Sequence, residues 1–426
     1  MYGDNAVMFL KIFATTGAIL FAGSLQAATP AAVINHYADV AEATYSDALT
    51  TARTLQQTID TLISAPTENH LAAARAAWVA ARHPYQQTET FRFGNAIVDD
   101  WEGKVNAWPL DEGLIDYTAA SYGGESDENP FYTANIIANP VLKVGGKQID
   151  AQAITPTLLA DTLHEVDGVE TNVATGYHAI EFLLWGQDLN GTGPGAGQRP
   201  ASDFDPANCS WGHCERRAAY LKAAIDLLVS DLEWMTAQWA STGAARTAVT
   251  QAETKAGLAT ILTGMGSLSY GELAGERMKL GLMLHDPEEE HDCFSDNTHW
   301  SHYNDALGIR NVYTGTYRRV DGSTLSGPAI ADLVAAANPD VDRELHARLD
   351  DTVAKMQVLV DTAHAGEAYD QMIGAGNTSG NAKVRAAIDA LVAQTRGIEQ
   401  AVSALGLEQV AFEGSDSLDA PQKVVQ

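Results

Sequence analysis

Apolar residues recur at helical spacing over several long stretches of this chain. The first stretch covers residues 31–63, where alanine, valine, leucine and tyrosine side chains return every three or four positions. Pro66 ends it, and Thr67 is a suitable N-cap for a second helix that runs towards His83. Further helices are predicted over 215–239, 248–280, 341–363 and 382–405. No stretch shows sustained strand alternation, so the pattern predicts an all-α protein.

Two regions interrupt the helical pattern. Residues 91–140 mix Trp, Pro, Gly and Asp without clean periodicity, which predicts irregular structure packed on helices. Residues 186–214 are rich in Gly, Pro, Asn and Asp and separate two helical halves. We therefore expect two helical domains, at residues 30–207 and 208–420, each built as a bundle.

A third predicted helix, led in by residues 155–173, contains the sequence Gly176-Tyr-His178-Ala-Ile-Glu181. Residues three apart share one face of a helix, so His178 and Glu181 can point at one spot. Burying an imidazole and a carboxylate in an apolar helix is costly unless another side chain, water or a cation pairs with them. A cation is the hypothesis we pursue, and a core histidine bonded to its neighbouring acid is the alternative.

Two later segments add further candidate ligands. Glu272 and Glu276 lie four residues apart on a predicted helix, where like charges repel unless Arg277 or a cation lies between them. Residues 288–302 contain three histidines and several carboxylates. Oxygen ligands with one or two imidazoles suit iron, manganese or zinc. A salt-bridged helix face and a solvated acidic loop remain the alternative explanations.

A third polar cluster surrounds Arg92, which lies between two phenylalanines. We expect packing to fix it and a carboxylate to pair with it, Glu89 being the nearest in sequence. Trp108, Asp111 and Glu112 follow in the segment Trp-Pro-Leu-Asp-Glu. We assign these residues a supporting role, with a purely structural ion pair as the alternative.

The net charge of the chain and the absence of several catalytic motifs argue against some classes of function. The 426 residues include 55 acidic and 26 basic side chains, for a formal charge of -29. Such a surface repels nucleic acid and anionic membranes and attracts cations, so nucleic-acid binding is set aside. The sequence lacks His-Glu-x-x-His, Gly-x-Ser-x-Gly, a phosphate-binding loop and Cys-x-x-Cys. The usual signatures of hydrolases and redox enzymes are therefore absent.

The N-terminal residues 1–27 are predicted to be a cleaved export signal. Lys11 precedes an apolar run that is too short to span a bilayer, and small residues follow it. Met8 is the alternative start, since it gives the signal a more usual charged head. No later segment approaches the roughly 20 apolar residues of a spanning helix. We expect an exported protein with no transmembrane segment after cleavage.

The three cysteines fit an oxidising compartment. Cys209 and Cys214 are expected to form a disulfide bond. Zinc is the less favoured alternative, because the chain has no second such pair to complete a structural site. Cys293 is left without an assigned role.

Seven segments together resemble the imelysin family, in particular its iron-regulated protein A branch. They are residues 91–94, 108–112, 176–181, 185–199, 214–217, 271–277 and 290–299. The resemblance implies a periplasmic or envelope-associated bacterial protein of two four-helix-bundle-like domains, with polar residues gathered where they meet. It also implies that Gly-x-His-x-x-Glu is a metal site and that the protein is linked to iron acquisition. The sequence departs from the family after His299, so His302 has no assigned role.

We therefore expect a metal-binding protein that assists iron uptake. His178 and Glu181 would supply two ligands, and Glu276, His291 or His299 would complete the site from the second domain. Gly176, Arg277 and Asp296 are given supporting roles together with the cluster around Arg92. The expected ion is iron, free or chelated, with zinc and manganese as alternatives. The expected partners are iron-uptake proteins of the cell envelope.

Two other functions stay open. A metallopeptidase of the imelysin type would use a metal-bound water with Glu181 or Glu272 as general base. Zinc hydrolysis generally needs three protein ligands and an open position, whereas one helix here offers two, so no catalytic residue is assigned. The second alternative is a helical module without metal that binds a peptide or partner between its domains.

Overall fold

This computed structural model describes residues 1, 28–144, 146–407 and 410–424. The predicted export signal falls almost entirely on residues 2–27, which lie outside the described residues. Within the described part the chain is mainly α-helical, so the all-α prediction is confirmed. None of the described helices combines the length and the apolar character needed to cross a membrane.

The α-helices are numbered in chain order. Those of the first half are α1 (Pro30–Ser64), α2 (Glu68–Gln86), α3 (Ala96–Asn106), α4 (Pro156–Leu158), α5 (Gly176–Trp185), α6 (Cys214–Trp239) and α7 (Ala244–Thr250). Those of the second half are α8 (Thr254–Ser267), α9 (Gly281–Leu284), α10 (Thr298–Thr314), α11 (Ile330–Ala337), α12 (Pro339–His364), α13 (Tyr369–Ile373), α14 (Thr378–Ala404) and α15 (Asp416–Asp419). Two further segments are π-helical, Leu159–Leu163 and Leu268–Leu280.

Two short antiparallel hairpins interrupt the helices and were not predicted. The strand β1 (Val141–Val144) pairs with β2 (Lys147–Asp150), and β3 (Thr316–Arg318) pairs with β4 (Thr324–Ser326). Strands of three or four residues are too short to show an alternating pattern in the sequence.

The long helices pack as two groups of four. In the first group α1 contacts α2 and α6, and α5 contacts the same two helices. In the second group α12 contacts α10 and α14, and the π-helix Leu268–Leu280 contacts both of these. The contact between α2 and α10 joins the groups. Because α6 follows residue 208 and yet packs in the first group, the domain boundary at 207/208 stays a prediction.

Several predicted helices differ from those observed. The expected N-cap is present, since the side chain of Thr67 accepts a hydrogen bond from His70 N. The predicted helix 248–280 is divided among α7, α8 and a π-helix. The irregular region 91–140 contains α3, whose buried stripe of Val98, Trp101 and Val105 is too short to stand out among its charged residues. The lead-in 155–173 is divided into α4, the π-helix Leu159–Leu163 and a short 3-10 segment at Val166–Gly168, rather than forming one helix.

A buried ionic cluster fastens the long loop after α5 to the first group of helices. Asp116 Oδ2 accepts from Arg217 Nε at 2.6 Å and from Arg199 Nη1 at 2.7 Å. Arg199 Nη1 also donates to Asp203 Oδ2 at 2.9 Å. Burial by itself raises the pKa of Asp116, but the two guanidinium groups outweigh it and hold that pKa below its usual value. Cys209, in the same loop, forms a disulfide bond with Cys214, the first residue of α6.

We predict that Asp116→Asn lowers the free energy of unfolding by about 3–5 kcal/mol, because it leaves two buried guanidinium groups short of negative charge. Denaturant unfolding followed by circular dichroism measures the change. The matched control is Asp350→Asn, which removes an exposed partner of Arg310 and should cost under about 1 kcal/mol. Equal losses in the two variants would contradict the expectation.

Candidate metal centre

The start of α5 is fixed against the end of α3. Gly176 has φ +79°, and an ideal Cβ at this position would overlap the backbone carbonyl of Val105. The hydroxyl of Thr175 donates to Lys104 O at 2.8 Å. A glycine is needed here because the backbones approach closely and φ is positive. The next helical turn then presents His178 to the interior.

His178 and Glu181 form the local pair that their spacing predicts. His178 Nδ1 lies 3.1 Å from Glu181 Oε2. The other oxygen, Oε1, accepts from Ser295 N at 3.0 Å and from Ser295 Oγ at 2.6 Å. Both carboxylate oxygens are therefore engaged, while His178 Nε2 is buried without a partner among the described residues. This arrangement is typical of a metal-binding histidine held in place by a carboxylate.

His291 and Asp292 reach the same point from the loop before α10. One donor atom each from His178, His291 and Asp292 can be chosen so that all three lie within 4.8 Å of one another, and all three residues are buried. The rings of His178 and His291 have centroids 4.9 Å apart. In the part of the chain that the structure describes, no other group of three histidine, cysteine or acidic residues meets this distance.

Arg82, from α2, supplies positive charge to this cluster. Its Nη2 donates to Asp292 Oδ1 at 2.7 Å, and its Nη1 donates to Asn106 Oδ1 at 2.7 Å. The second oxygen of Asp292 accepts from Asn297 Nδ2 at 2.8 Å and from the hydroxyl of Ser301. The aspartate is therefore fully hydrogen-bonded and neutralised by an arginine that is itself buried.

Gln86 adds information on the tautomer of His291. Its amide is oriented with the oxygen towards Arg82 Nη2, at 2.6 Å, because a guanidinium can only donate. The same oxygen lies 3.1 Å from His291 Nδ1, which is thereby assigned the proton. The free lone pair of His291 then lies on Nε2, as it does in His178.

Burial and neighbouring charges set the protonation of the cluster. Burial, assisted by Arg82, lowers the pKa of His178 to about 3. Burial also lowers the pKa of His291, with Arg277 and His178 adding to the effect. The pKa of Asp292 lies below its usual value because Arg82 outweighs burial, whereas burial and Asp292 together raise that of Glu181. Both imidazoles are consequently neutral at neutral pH, which is the form that binds metal.

These donors fit a transition-metal ion. Two imidazole nitrogens and one carboxylate oxygen form a set that suits iron, manganese or zinc. The buried, unpartnered Nε2 of His178 is the atom that such an ion would satisfy. Arg82 competes for one of the three donors, because it already binds Asp292.

Two predicted ligands lie away from this centre. His299, on α10, packs against Trp300, and its ring centroid lies 6.0 Å from that of the exposed His364. Glu276 is half-buried on the π-helix and forms no ion pair among the described residues. Hydrogen bonds in a π-helix run from i to i+5, so the face expected from four-residue spacing is not formed.

Arg277 is paired by that same π-helical geometry. Its Nε lies 2.9 Å from Glu272 Oε1, five residues away, and it also binds Glu89 at 2.7 Å and Asp305 at 3.1 Å. Glu89 is therefore not the partner of Arg92, as its nearness in sequence suggested. Arg92 instead binds Asp99, one turn into α3, at 2.8 Å.

Trp108, one of the predicted supporting residues, packs against the centre. Trp108 Nε1 donates to Glu290 O at 2.7 Å, and its ring edge packs on His291. Asp111 and Glu112 line a neighbouring cleft. His302 is fully buried against Tyr369, and both of its ring nitrogens are without a partner in the described structure.

Sequence reasoning missed Asp292, Arg82, Gln86 and Ser295 as members of the centre. Asp292 follows His291 directly in the histidine-rich segment 288–302, so it could have been predicted as a ligand from its position in the sequence. Arg82 and Gln86 carry no local signal, because they lie on an ordinary amphipathic helix. Ser295 meets Glu181 only through a contact between residues 114 positions apart.

Comparisons of the chain with known proteins all find imelysin-like or iron-regulated proteins. The family model described as Imelysin matches residues 41–398. A stretch of 79 residues is 42% identical to iron-regulated protein A of Synechococcus elongatus and covers 18% of this chain and 22% of that protein. The chain thus matches about a fifth of the length of this relative.

Two solved structures share the fold. A protein assigned as an iron-regulated protein A precursor from Parabacteroides distasonis is 20% identical, with a TM-score of 0.65 over 90% of this chain and 97% of that one. An imelysin-like protein from Psychrobacter arcticum is 18% identical, with a TM-score of 0.57 over 91% and 100% of the two chains. At these identities the likeness shows the fold alone.

We predict that Gly176→Ala destabilises the protein by about 2 kcal/mol or more, since it adds backbone strain to an overlap with Val105. Chemical denaturation measures this loss. The matched control is Gly103→Ala on α3, where a Cβ meets nothing within 4 Å and the expected effect is neutral to stabilising. A tolerated Gly176→Ala would show that α5 can start without this close approach.

Proposed function

The chain belongs to the imelysin family, and on that premise we propose that it is an exported protein that binds a transition-metal ion, first of all iron, and assists its uptake. The observation that carries the proposal is the centre itself. Two neutral imidazoles and a carboxylate converge within 4.8 Å, and His178 Nε2 is buried without another partner among the described residues. A relative named iron-regulated protein A adds support for iron as the ion.

In this proposal the ion is cargo, and each residue has a separate task. His178, His291 and Asp292 bind the ion, and Glu181 holds the proton of His178 on Nδ1 so that Nε2 faces the ion. Arg82 neutralises Asp292 when no ion is bound. Because the ion must compete with this guanidinium for Asp292, binding is weaker than in a site of free ligands. Reversible binding of that kind suits a protein that passes its ion on.

One observation favours a second candidate, the partner-binding module without metal. The His178–Glu181 hydrogen bond and the Arg82–Asp292 ion pair satisfy most of the buried polar groups by themselves. Such a centre could serve only to hold α2, α5 and the loop before α10 together. Metal titration separates the two candidates, because only the first predicts saturable binding.

The peptidase alternative has less support from the geometry. A general base must be free to take a proton from the attacking water. Glu181 has both oxygens hydrogen-bonded and is fully buried, and Glu272 is paired with Arg277. Neither carboxylate is therefore positioned as a free base.

We predict that mature protein binds Fe(II), Zn(II) or Mn(II) at a saturable site in calorimetric titration, and that His178→Ala abolishes binding at this site by removing a ligand. His346→Ala is the matched control, because His346 is half-exposed and pairs with Asp342 far from the centre. No heat of binding from the wild-type protein, or equal binding by His178→Ala, would reject the metal centre and favour the second candidate.

We predict a weaker effect for Glu181→Gln. If Glu181 orients His178 and does not bind the ion, its loss should reduce metal affinity by about 10–100-fold without abolishing it. Titration under identical conditions with His178→Ala provides the comparison. An effect as complete as that of His178→Ala would make Glu181 a direct ligand, as its place in the motif first suggested.

A further inference from the structure

A cleft lined by acidic side chains lies beside the metal centre. The wider part, with a volume of about 510 Å³, is lined by Asp111, Glu112, Asp188 and Glu288 among others. A deeper part is lined by Asp188, Glu288, Glu290 and Asp370. The two parts share Cys293 and Phe294, and neither has a lysine, arginine or histidine in its lining. We call these six carboxylates with their surroundings the acidic cleft.

The charge of the acidic cleft is not compensated as it is elsewhere in the interior. Most buried carboxylates outside the cleft, among them Asp116, Asp292 and Asp305, bind an arginine, whereas Glu181 is hydrogen-bonded to His178 and Ser295. Among the described residues, none of the six cleft carboxylates lies within 4.0 Å of a basic side chain. Three of them accept hydrogen bonds from neutral groups only: Asp111 from Asn129 and Thr171, Glu112 from Gln187, and Asp188 from Asn190.

Two deep carboxylates have oxygen atoms without any donor among the described residues. Asp370 is 1% exposed, and both of its carboxylate oxygens are without a hydrogen-bond partner. Glu290 is also 1% exposed, and its Oε2 is unpartnered. Both residues line the deeper part of the cleft. Burying unpaired carboxylates in this way is costly, and a cation between them would remove the cost.

We propose that the acidic cleft binds a hard divalent cation of the Ca²⁺ class, through oxygen atoms, at a site separate from the histidine centre. Carboxylate and water oxygens are the ligands that Ca²⁺ takes, in irregular sets of six to eight. No three cleft carboxylates bring donor atoms within 4.8 Å of one another, so water must complete the sphere. Mg²⁺ fits less well, because it demands near-ideal octahedral geometry.

The site shares no residue with His178, His291 and Asp292, so it does not depend on the function proposed above. It also differs in chemistry, since the acidic cleft offers no imidazole. The overall charge of -29 raises the local concentration of cations and favours binding to both sites.

Terbium is a suitable probe, because Tb³⁺ replaces Ca²⁺ and emits when excited through nearby aromatic side chains. Trp108, Tyr122 and Tyr132 all line the cleft. We expect sensitised Tb³⁺ emission from the mature protein that Ca²⁺ displaces with a Kd of about 10⁻⁴–10⁻³ M, the range of extracellular calcium modules. The double variant Asp188→Asn/Asp370→Asn should weaken Ca²⁺ binding at least tenfold.

The matched control is Asp161→Asn/Asp389→Asn, which removes the same charge from two exposed positions and should leave Ca²⁺ binding unchanged. His178→Ala should also retain Ca²⁺ binding, so failure of the histidine centre and failure of the acidic cleft are told apart.

Melting temperatures provide a check on folding. Without Ca²⁺, the cleft variant Asp188→Asn/Asp370→Asn should melt at a higher temperature than the wild-type protein. Ca²⁺ should raise the melting temperature of the wild-type protein and leave that of the variant unchanged. Emission that Ca²⁺ does not displace, or equal binding by the cleft variant, would overturn the proposal.

Discussion

The buried ion pair between Arg82 and Asp292 is the interaction on which the centre of this protein depends. Arg82 comes from α2 in the first group of helices, and Asp292 from the loop that leads into α10 in the second. Neither charge could remain in the interior without the other, because the desolvation of a lone buried ion costs several kcal/mol. The pair therefore fixes how α2 approaches that loop, and it places His291 opposite His178.

Three other arginines have the same function at two further places in the interior. Arg199 and Arg217 hold Asp116, and Arg277 holds Glu89, Glu272 and Asp305. The chain has only 26 basic residues against 55 acidic ones, so arginines placed inside leave other acids unpaired. Among the described residues, Glu290 and Asp370 are two such acids that are buried in the acidic cleft with unpartnered oxygens, which is why a cation is the physical complement we infer for it.

What the sequence could predict was local. The all-α class, the cap at Thr67 and the contact of His178 with Glu181 follow from spacing within one or two helical turns. The family resemblance rested on ordered segments, and it is confirmed by a match over most of the chain. Each of these inferences needed no knowledge of which helices meet.

What the sequence could not predict depended on contacts between distant segments or on an unusual helix. Asp292 joins the centre through a partner 210 positions away, which no local pattern encodes. Glu276 was expected beside Glu272 from four-residue spacing, but the π-helix makes Glu272 and Arg277 neighbours instead. α3 was missed because three apolar residues among charged ones are a weak signal.

The arrangement of the centre has a consequence for how metal binding would act on the protein. A cation that takes Asp292 as a ligand weakens its bond to Arg82, and that bond joins the two groups of helices. Binding would then change the contact between α2 and the loop before α10, since a ligand shifts a conformational equilibrium by its differential affinity for the two states. The guanidinium of Arg82, which lowers the affinity for the ion, would thus couple the presence of the ion to the relative position of the two groups of helices.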